Sequence, residues 1–553
     1  MREGGAATFA KGRAHTLPGL ALALTLAVAA LHIALVWGQT TLLGDAGRWR
    51  DEVERFIHGE TLYRDFVWPF PPLALWVLGW IQRILGDNTL ILFDACAILT
   101  LVIAVFYWRY CCRLLTDRTT IAIVSVVGMV LAFGYAQIDS DPLPTGMYTP
   151  AAPIGFLFLL FALSAWISGN SALAGIACGL AIITKQDFWL PAGVILVACV
   201  AKRHSRGWIT VLCAGVVVLS VTAVLVVQSG WTVLPQIVTG YGRVRLFAAR
   251  HLPSWERICA QFATSSFIAA VTLLALRRFR LAFLTLGVFV ALTGALYAES
   301  VRLRVVFTLL LEHQLPWLVP FAFLIWSIRS GEHDLAWLVG IALAARVRRG
   351  FEYTEWYAFL LELPIYALVL RRRRMERAIP ILAGTLAIIA LGAYWDFGRG
   401  PLTNESRYRD RHWVRTVRGP VKWTAQEARL YYAVKSALGD DRSPLYALNY
   451  TGGFAYYLDR VNPSPSDETL ILAGRDKMAL VNAIRAARPV LLERQAPYTI
   501  RVAKSASFTS WRLLMQPNYV ETIARPDFRL ISAGCEKSTV ENAEPPFWIY
   551  HCP

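Results

Sequence analysis

Long apolar runs separated by short basic clusters set the pattern of the chain. Runs near 17–37, 90–108, 119–138, 149–168, 171–186, 188–201, 208–228, 257–276, 281–298, 305–328, 334–346, 356–370 and 378–396 read as membrane helices, thirteen in all. The longest polar interruption between the first two is 43–75, LGDAGRWRDEVERFIHGETLYRDFVWPFPPLAL. Its first part predicts a helix over 45–58, with Asp45, Arg48, Glu52 and Arg55 on one face and Trp49, Val53, Phe56 and Ile57 on another. Such a helix is expected to lie in the interface plane with its carboxylates at the water boundary. After the TLYRDF segment the double proline Pro71-Pro72 opens a second apolar helix over 73–85. From residue 397 the long apolar runs cease. Strand-like pieces at 444–448, 489–492, 528–532 and 547–550, set between turn residues, predict a soluble α/β domain over 397–553.

Composition agrees with a membrane protein. Of 553 residues 56% are hydrophobic and only 17% charged, too apolar for a soluble enzyme. The formal charge is +17, and between the apolar runs basic residues sit in short clusters, at the N-terminal tail, 109–118, 202–206, 277–280 and 371–374. That is the distribution of cytoplasmic anchors, and it argues against nucleic acid as a partner. The run at 17–37 is longer than a signal-peptide core, so it is expected to stay as the first span. The 73–85 helix is short for a span and carries Gln82 and Arg83; read as non-crossing, it leaves those five clusters on the inner side, while the three arginines at 346–349 fall outside against the rule. Parity then puts 397–553 outside the cytoplasm. Seven cysteines lie in or beside spans without metal-ligand spacing, and only Cys535 and Cys552 belong to the tail. A disulfide between those two is expected in an oxidising compartment. A direct hairpin of 528–532 with 547–550 would instead hold them apart.

The same parity collects polar residues on the outer side. They are Asp45; Asp139 and Asp141; Lys185 and Gln186 in the TKQ segment; Arg243, Arg245 and Arg250; and Arg346, Arg348 and Arg349. Each has a bland alternative. Asp45 could cap its helix, the Asp139–Asp141 pair could make a turn before Pro142, and Lys185 could snorkel to the boundary. His313, Glu299 and Glu312 lie in apolar surroundings, and Arg64 and Asp65 lie in the LYRDF segment; all five are weaker candidates. No phosphate-binding loop, dinucleotide fingerprint, nucleophile elbow or zinc spacing is present.

An acid just after the first span, then GE-x-LYRDF, then a double proline opening an apolar helix resembles the first external loop of the GT-C glycosyltransferases. The likeness is to the protein-mannosyltransferase and aminoarabinose-transferase type. It implies a polyprenyl-phosphate-linked sugar as donor, Asp45 as base, and Asp139 and Asp141 as acceptor ligands or holders of a divalent cation. Lys185, Gln186, Arg243, Arg245, Arg346 and Arg349 are implied at the donor phosphate, and the setting is a bacterial inner membrane with the C-terminal domain extracytoplasmic. Many relatives carry a lysine directly before the double proline; Phe70 stands there in this chain. A transporter or flippase of polyprenyl-linked glycans would also need basic residues near lipid phosphates, and an assembly protein with an inactive membrane scaffold is a third alternative. Neither sugar nor acceptor is written in these residues.

Overall fold

The computed structural model describes residues 18–40, 42, 45–136, 150–239, 320–321, 323–346, 356–372, 379–380, 384, 411–447, 452–464, 477–494, 528–529, 531–540 and 547–552. Its membrane part is helical: α1 (Pro18–Val36), α2 (Asp45–Ile57), α3 (Leu73–Leu85), α4 (Thr89–Leu114), α5 (Arg118–Ala136), α6 (Ala151–Ile167), α7 (Ser171–Ile182), α8 (Trp189–Ser229), α9 (Val233–Thr239), α10 (His333–Arg346) and α11 (Trp356–Arg372). Among the described residues, 19–36, 89–114 and 206–229 are each long and apolar enough to cross a bilayer. The runs at 257–276 and 281–298, and most of 305–328 and 378–396, lie outside the described residues.

Small residues let these helices approach closely. A β-carbon on Gly128 would meet the Tyr107 ring at 2.1–2.6 Å, and one on Gly175 would lie 2.2 Å from the Thr210 carbonyl oxygen. Polar side chains inside the bundle satisfy themselves locally: Thr25 Oγ1 of α1 lies within hydrogen-bond distance of Ala21 O at 2.7 Å and of Ser125 Oγ of α5 at 3.0 Å. The 41 residues of α8 cannot be one straight rod. Residues eight apart on a helix are separated by about 12 Å, yet a β-carbon on Gly207 would come 2.4 Å from Cys199 O. The helical run therefore doubles back between these positions. The limb after the bend runs parallel to α7, because Gly175 meets Thr210 and Cys213 whereas Gly179 meets Ala214 and Val217. Lys202, in the bend, pairs with Asp334 of α10 and lies 4.7 Å from the Trp166 ring centroid.

Both ends of α3 lie on one side of the bundle. The amide of Leu73 donates to Ile183 O, and past its other end Asp87 pairs with Arg418 of the C-terminal domain. Thr89, which opens α4, donates through its amide to Arg418 O. Trp37, just past α1, donates to Asp94 near the start of α4 at 2.9 Å, so α1 and α4 run antiparallel. At about 20 Å for its 13 residues, α3 is also shorter than a hydrocarbon core.

Beyond residue 410 the chain forms an antiparallel ribbon of β1 (Arg411–Thr416) and β2 (Gly419–Thr424), then α12 (Ala425–Leu438). Thr424 and Glu427 close a capping box at its start. A mixed sheet follows in the order β3 (Leu445–Ala447), β4 (Val490–Arg494), β6 (Phe547–His551), β5 (Glu536–Val540), with α13 (Gly452–Tyr457) and α14 (Lys477–Ala486) between strands. Among the described strands of this sheet, β3 and β4 pair in parallel and the other two pairs are antiparallel. Residues 38–40 add to the outer edge of the ribbon, through Lys422 N to Gly38 O at 2.7 Å and Thr40 N to Lys422 O at 3.4 Å. One apolar core runs from the first loop into the C-terminal domain and includes Trp49, Trp68, Phe70, Trp423, Tyr431 and Phe454. The two parts share a core where the pattern along the chain had suggested a boundary.

The strand expected over 528–532 is a helical turn instead, with Ser532 N bonded to Phe528 O at 2.8 Å. Phe528 and Ile531, three apart and hence on one helical face, are both buried in a cluster with Tyr446 and Tyr550. The hairpin partner of β6 is β5, paired Glu536 with His551, which sets Cys535 opposite Cys552 at the open end of the hairpin. Their α-carbons are 4.3 Å apart and the sulfurs are bonded. Closing a loop of this length is worth about 3 kcal/mol by the chain-entropy relation. Replacing both residues by serine should lower the unfolding free energy of the C-terminal domain by about that amount, read from denaturant-dependent proteolysis of the full chain.

Candidate functional site

The LYRDF segment is a tight turn locked from inside. Tyr63 adopts φ 65, a left-handed conformation unusual for a bulky residue, and its amide donates to Phe66 O at 2.8 Å. The Asp65 carboxylate accepts from Thr61 N at 2.7 Å and from two nitrogens of Arg64 at 2.9 Å each. Arg64 is the main cause that holds the Asp65 carboxyl down to about 2. A carboxylate that weakly basic is a poor proton acceptor. Arg64 and Asp65, weaker candidates from the sequence, thus serve the turn by binding each other. Its product is the placement of the next segment: Tyr63 Oη donates to Phe70 O, and Trp68 Nε1 to Pro71 O at 3.1 Å.

Phe70 meets Lys185. The lysine follows α7 in an extended conformation and is 1% exposed. Its ammonium lies 2.7 Å from Asp187 Oδ2 and 5.4 Å from the centroid of the Phe70 ring. Ion pairing and the ring face both compensate the loss of water. This buried setting differs from the snorkelling alternative, which keeps an ammonium in water. Gln186 uses its amide nitrogen to join two carbonyls, Pro69 O and Ile237 O, each at 2.9 Å. Three stretches distant in sequence therefore meet here: the double-proline segment, the TKQ segment, and α9, which ends at Thr239 just before the stretch holding Arg243 and Arg245.

Residues 43 and 44 are not described, and Asp45 enters as the first residue of α2. Asp139, Asp141, Arg243, Arg245, Arg250, Glu299, Glu312, His313, Arg348 and Arg349 lie outside the described residues; Arg346 closes α10. Among the described residues no group of three or more His, Cys, Asp or Glu could hold a metal ion.

The charged face of α2 is not at the water boundary. Arg48, Arg50, Asp51, Glu52 and Glu54 are all buried, and the C-terminal domain binds Arg50, Asp51 and Glu54 directly. Asn462 Nδ2 donates to Asp51 at 3.2 Å, and Arg55 donates to Ser464 O at 2.6 Å. Arg418, in the β1–β2 turn, binds three carboxylates from three places: Glu54 of α2, Asp87 before α4, and Asp459 after α13 at 2.6 Å. The sequence reading missed Arg418, Asn462 and Tyr457. The signal available was the density of charge in α2, seven ionisable residues in thirteen, on a helix that also carries Trp49 and Val53.

No family model matches the chain, and no curated protein matches it. Among solved structures it is similar to "ArnT from Cupriavidus metallidurans bound to Undecaprenyl phosphate", at 13% identity and a TM-score of 0.45, over 97% of this chain and 98% of that one. Chemistry at the site therefore has to be read from this chain's own side chains.

Arg418 gives the roof its most direct test. Removing it leaves Glu54, Asp87 and Asp459 facing one another around a partly buried gap, a loss of roughly 3 kcal/mol for breaking such a cluster. Arg418→Ala should expose the 411–424 ribbon to protease in the otherwise intact membrane protein, whereas Arg418→Lys should give an intermediate rate.

Proposed function

We propose that this chain is a membrane glycosyltransferase that moves a sugar from a polyprenyl-phosphate donor to an acceptor at the outer face of a bacterial inner membrane. The observation that carries this is the buried Lys185 ammonium over the Phe70 ring, directly before the double proline. In the resemblance noted above, a lysine of the first loop stands at that point of the sequence. Here an ammonium reaches the same segment from the TKQ stretch. The substitution of Phe70 for lysine is thereby offset by a cation from elsewhere in the chain.

In this reading Asp45 removes a proton from the acceptor hydroxyl or amine as that atom attacks the anomeric carbon. The bond to the phosphate oxygen breaks with inversion, and polyprenyl phosphate leaves. Lys185 stabilises the departing charge, exchanging part of its interaction with Asp187 for the phosphate. Gln186 holds the TKQ segment against the loop through its two carbonyl bonds. Arg243, Arg245, Arg346 and Arg349 add positive charge around the donor phosphate, and Asp139 and Asp141 bind the acceptor or a divalent cation. The domain at 397–553 lies outside the cytoplasm and closes the site from above. A domain that covers the first loop suits an enzyme better than a transporter, whose loops must open alternately to both sides.

Turnover of polyprenyl-phosphate sugar by membranes holding Asp45→Asn should fall by about three orders of magnitude, within the range for loss of a general base. Lys185→Met should lower kcat/KM for the donor by at least tenfold, while Lys185→Arg keeps part of it. Wild-type turnover by Asp45→Asn at normal expression would overturn the assignment.

A further inference from the structure

We propose that Arg50 is a positioning residue for Asp45, and that through it the C-terminal domain forms part of the catalytic unit. This inference rests on the role of Asp45 proposed above.

Thr40 and Arg50 stand five residues before and five residues after Asp45. Arg50 Nη1 donates to Thr40 Oγ1 at 2.5 Å, so one hydrogen bond closes the chain from 40 to 50 into a ring with Asp45 at its midpoint. The same nitrogen donates to Tyr457 Oη at 2.6 Å, which fastens the closure to α13. Arg50 is fully buried, and its guanidinium carbon lies 4.9, 5.2 and 5.8 Å from the ring centroids of Trp49, Phe93 and Tyr457. Among the described residues no carboxylate pairs with it. A buried guanidinium is costly, and among the described residues only its Nη1 is hydrogen-bonded, to two hydroxyls, while three aromatic faces surround the group, so these few contacts have to be in place together. Such a group is a stringent clamp, because any movement of α13 away from α2 leaves it unsatisfied.

The remaining ties of the ring go to the same domain. Leu42 N donates to Glu427 Oε1 at 3.0 Å, the carbonyl of Thr40 accepts from Arg411, and the amide of Thr40 donates to Lys422 O. On the far side of Asp45, Gly47 touches Gly453 so closely that a β-carbon on Gly47 would lie 2.4 Å from Gly453 Cα. Gly453 is equally close to Leu42 O, at 2.1 Å from its own added β-carbon. The backbone on both sides of Asp45 is thus held by β2, α12 and α13. A base displaced by about 1 Å can lose on the order of a hundredfold in rate, so this clamp bears on kcat and not on donor binding.

The experiment uses the full-length protein in lipid nanodiscs with a polyprenyl-phosphate sugar as donor, comparing wild type, Asp45→Asn, Arg50→Met, Arg50→Lys, Tyr457→Phe and Thr40→Val. Arg50→Met is expected to lower kcat by at least thirtyfold with donor KM within twofold of wild type. Arg50→Lys should recover part of that loss, and Tyr457→Phe and Thr40→Val should each cost threefold to tenfold in kcat alone. If Arg50→Met does not fold, the two single-atom variants carry the test. Wild-type kcat in both of them, or equal changes in kcat and KM, would overturn the positioning role while an inactive Asp45→Asn keeps the glycosyltransferase reading. An active Asp45→Asn would instead remove the reading on which the inference rests.

Discussion

Charge that is buried must be matched, and in this protein that requirement falls on α2. The helix carries three arginines and four acids in thirteen residues, and its polar face is covered by the domain at the far end of the chain. Leaving any of those groups covered but unpaired would cost several kcal/mol. The domain therefore has to present Arg418, Tyr457, Asn462 and the carbonyl of Ser464 at matching positions. Docking is specific for this reason. An apolar interface of the same area would tolerate sliding, whereas these bonds allow one arrangement.

The first loop uses a second device, the LYRDF turn. Its left-handed Tyr63 and the Asp65 carboxylate bend the chain so that Pro69, Phe70 and Pro71 face the end of α7. The bend matters because the TKQ segment approaches from a different part of the bundle, and Gln186 can reach Pro69 O only if the loop is turned toward it. The Phe70 ring then lies beneath the Lys185 ammonium, which pairs with Asp187 two residues on. Ordering the loop thus orders the ammonium.

These two devices share a single apolar core. Trp49 and Trp68 from the loop pack with Trp423, Tyr431 and Phe454 from the C-terminal domain, so the aromatic side of the loop is withdrawn from water while His58 and Arg64 stay exposed. Hydrophobic burial holds the loop and domain together, and the hydrogen bonds select the register.

The sequence by itself determined the elements whose cause is local. Runs of apolar residues produced α1, α4, α6 and α7 close to their expected limits, the double proline started α3, and short strand-like pieces between turn residues located β3, β4 and β6. It also singled out the LYRDF, double-proline and TKQ stretches, all three of which the fold brings together. What it could not determine were pairings between distant segments. Residues 528–532 read as a strand, but the helical turn won because Phe528 and Ile531 then share a pocket with Tyr446 and Tyr550. The polar face of α2 read as solvated, since an amphipathic pattern records that one face is polar and not what covers it. Only the tertiary structure decided that Arg418, 364 residues from Glu54, completes that face. The physical reason is that a hydrogen bond or ion pair depends on distance in space, and nothing in the spacing along the chain encodes which remote donor will supply it.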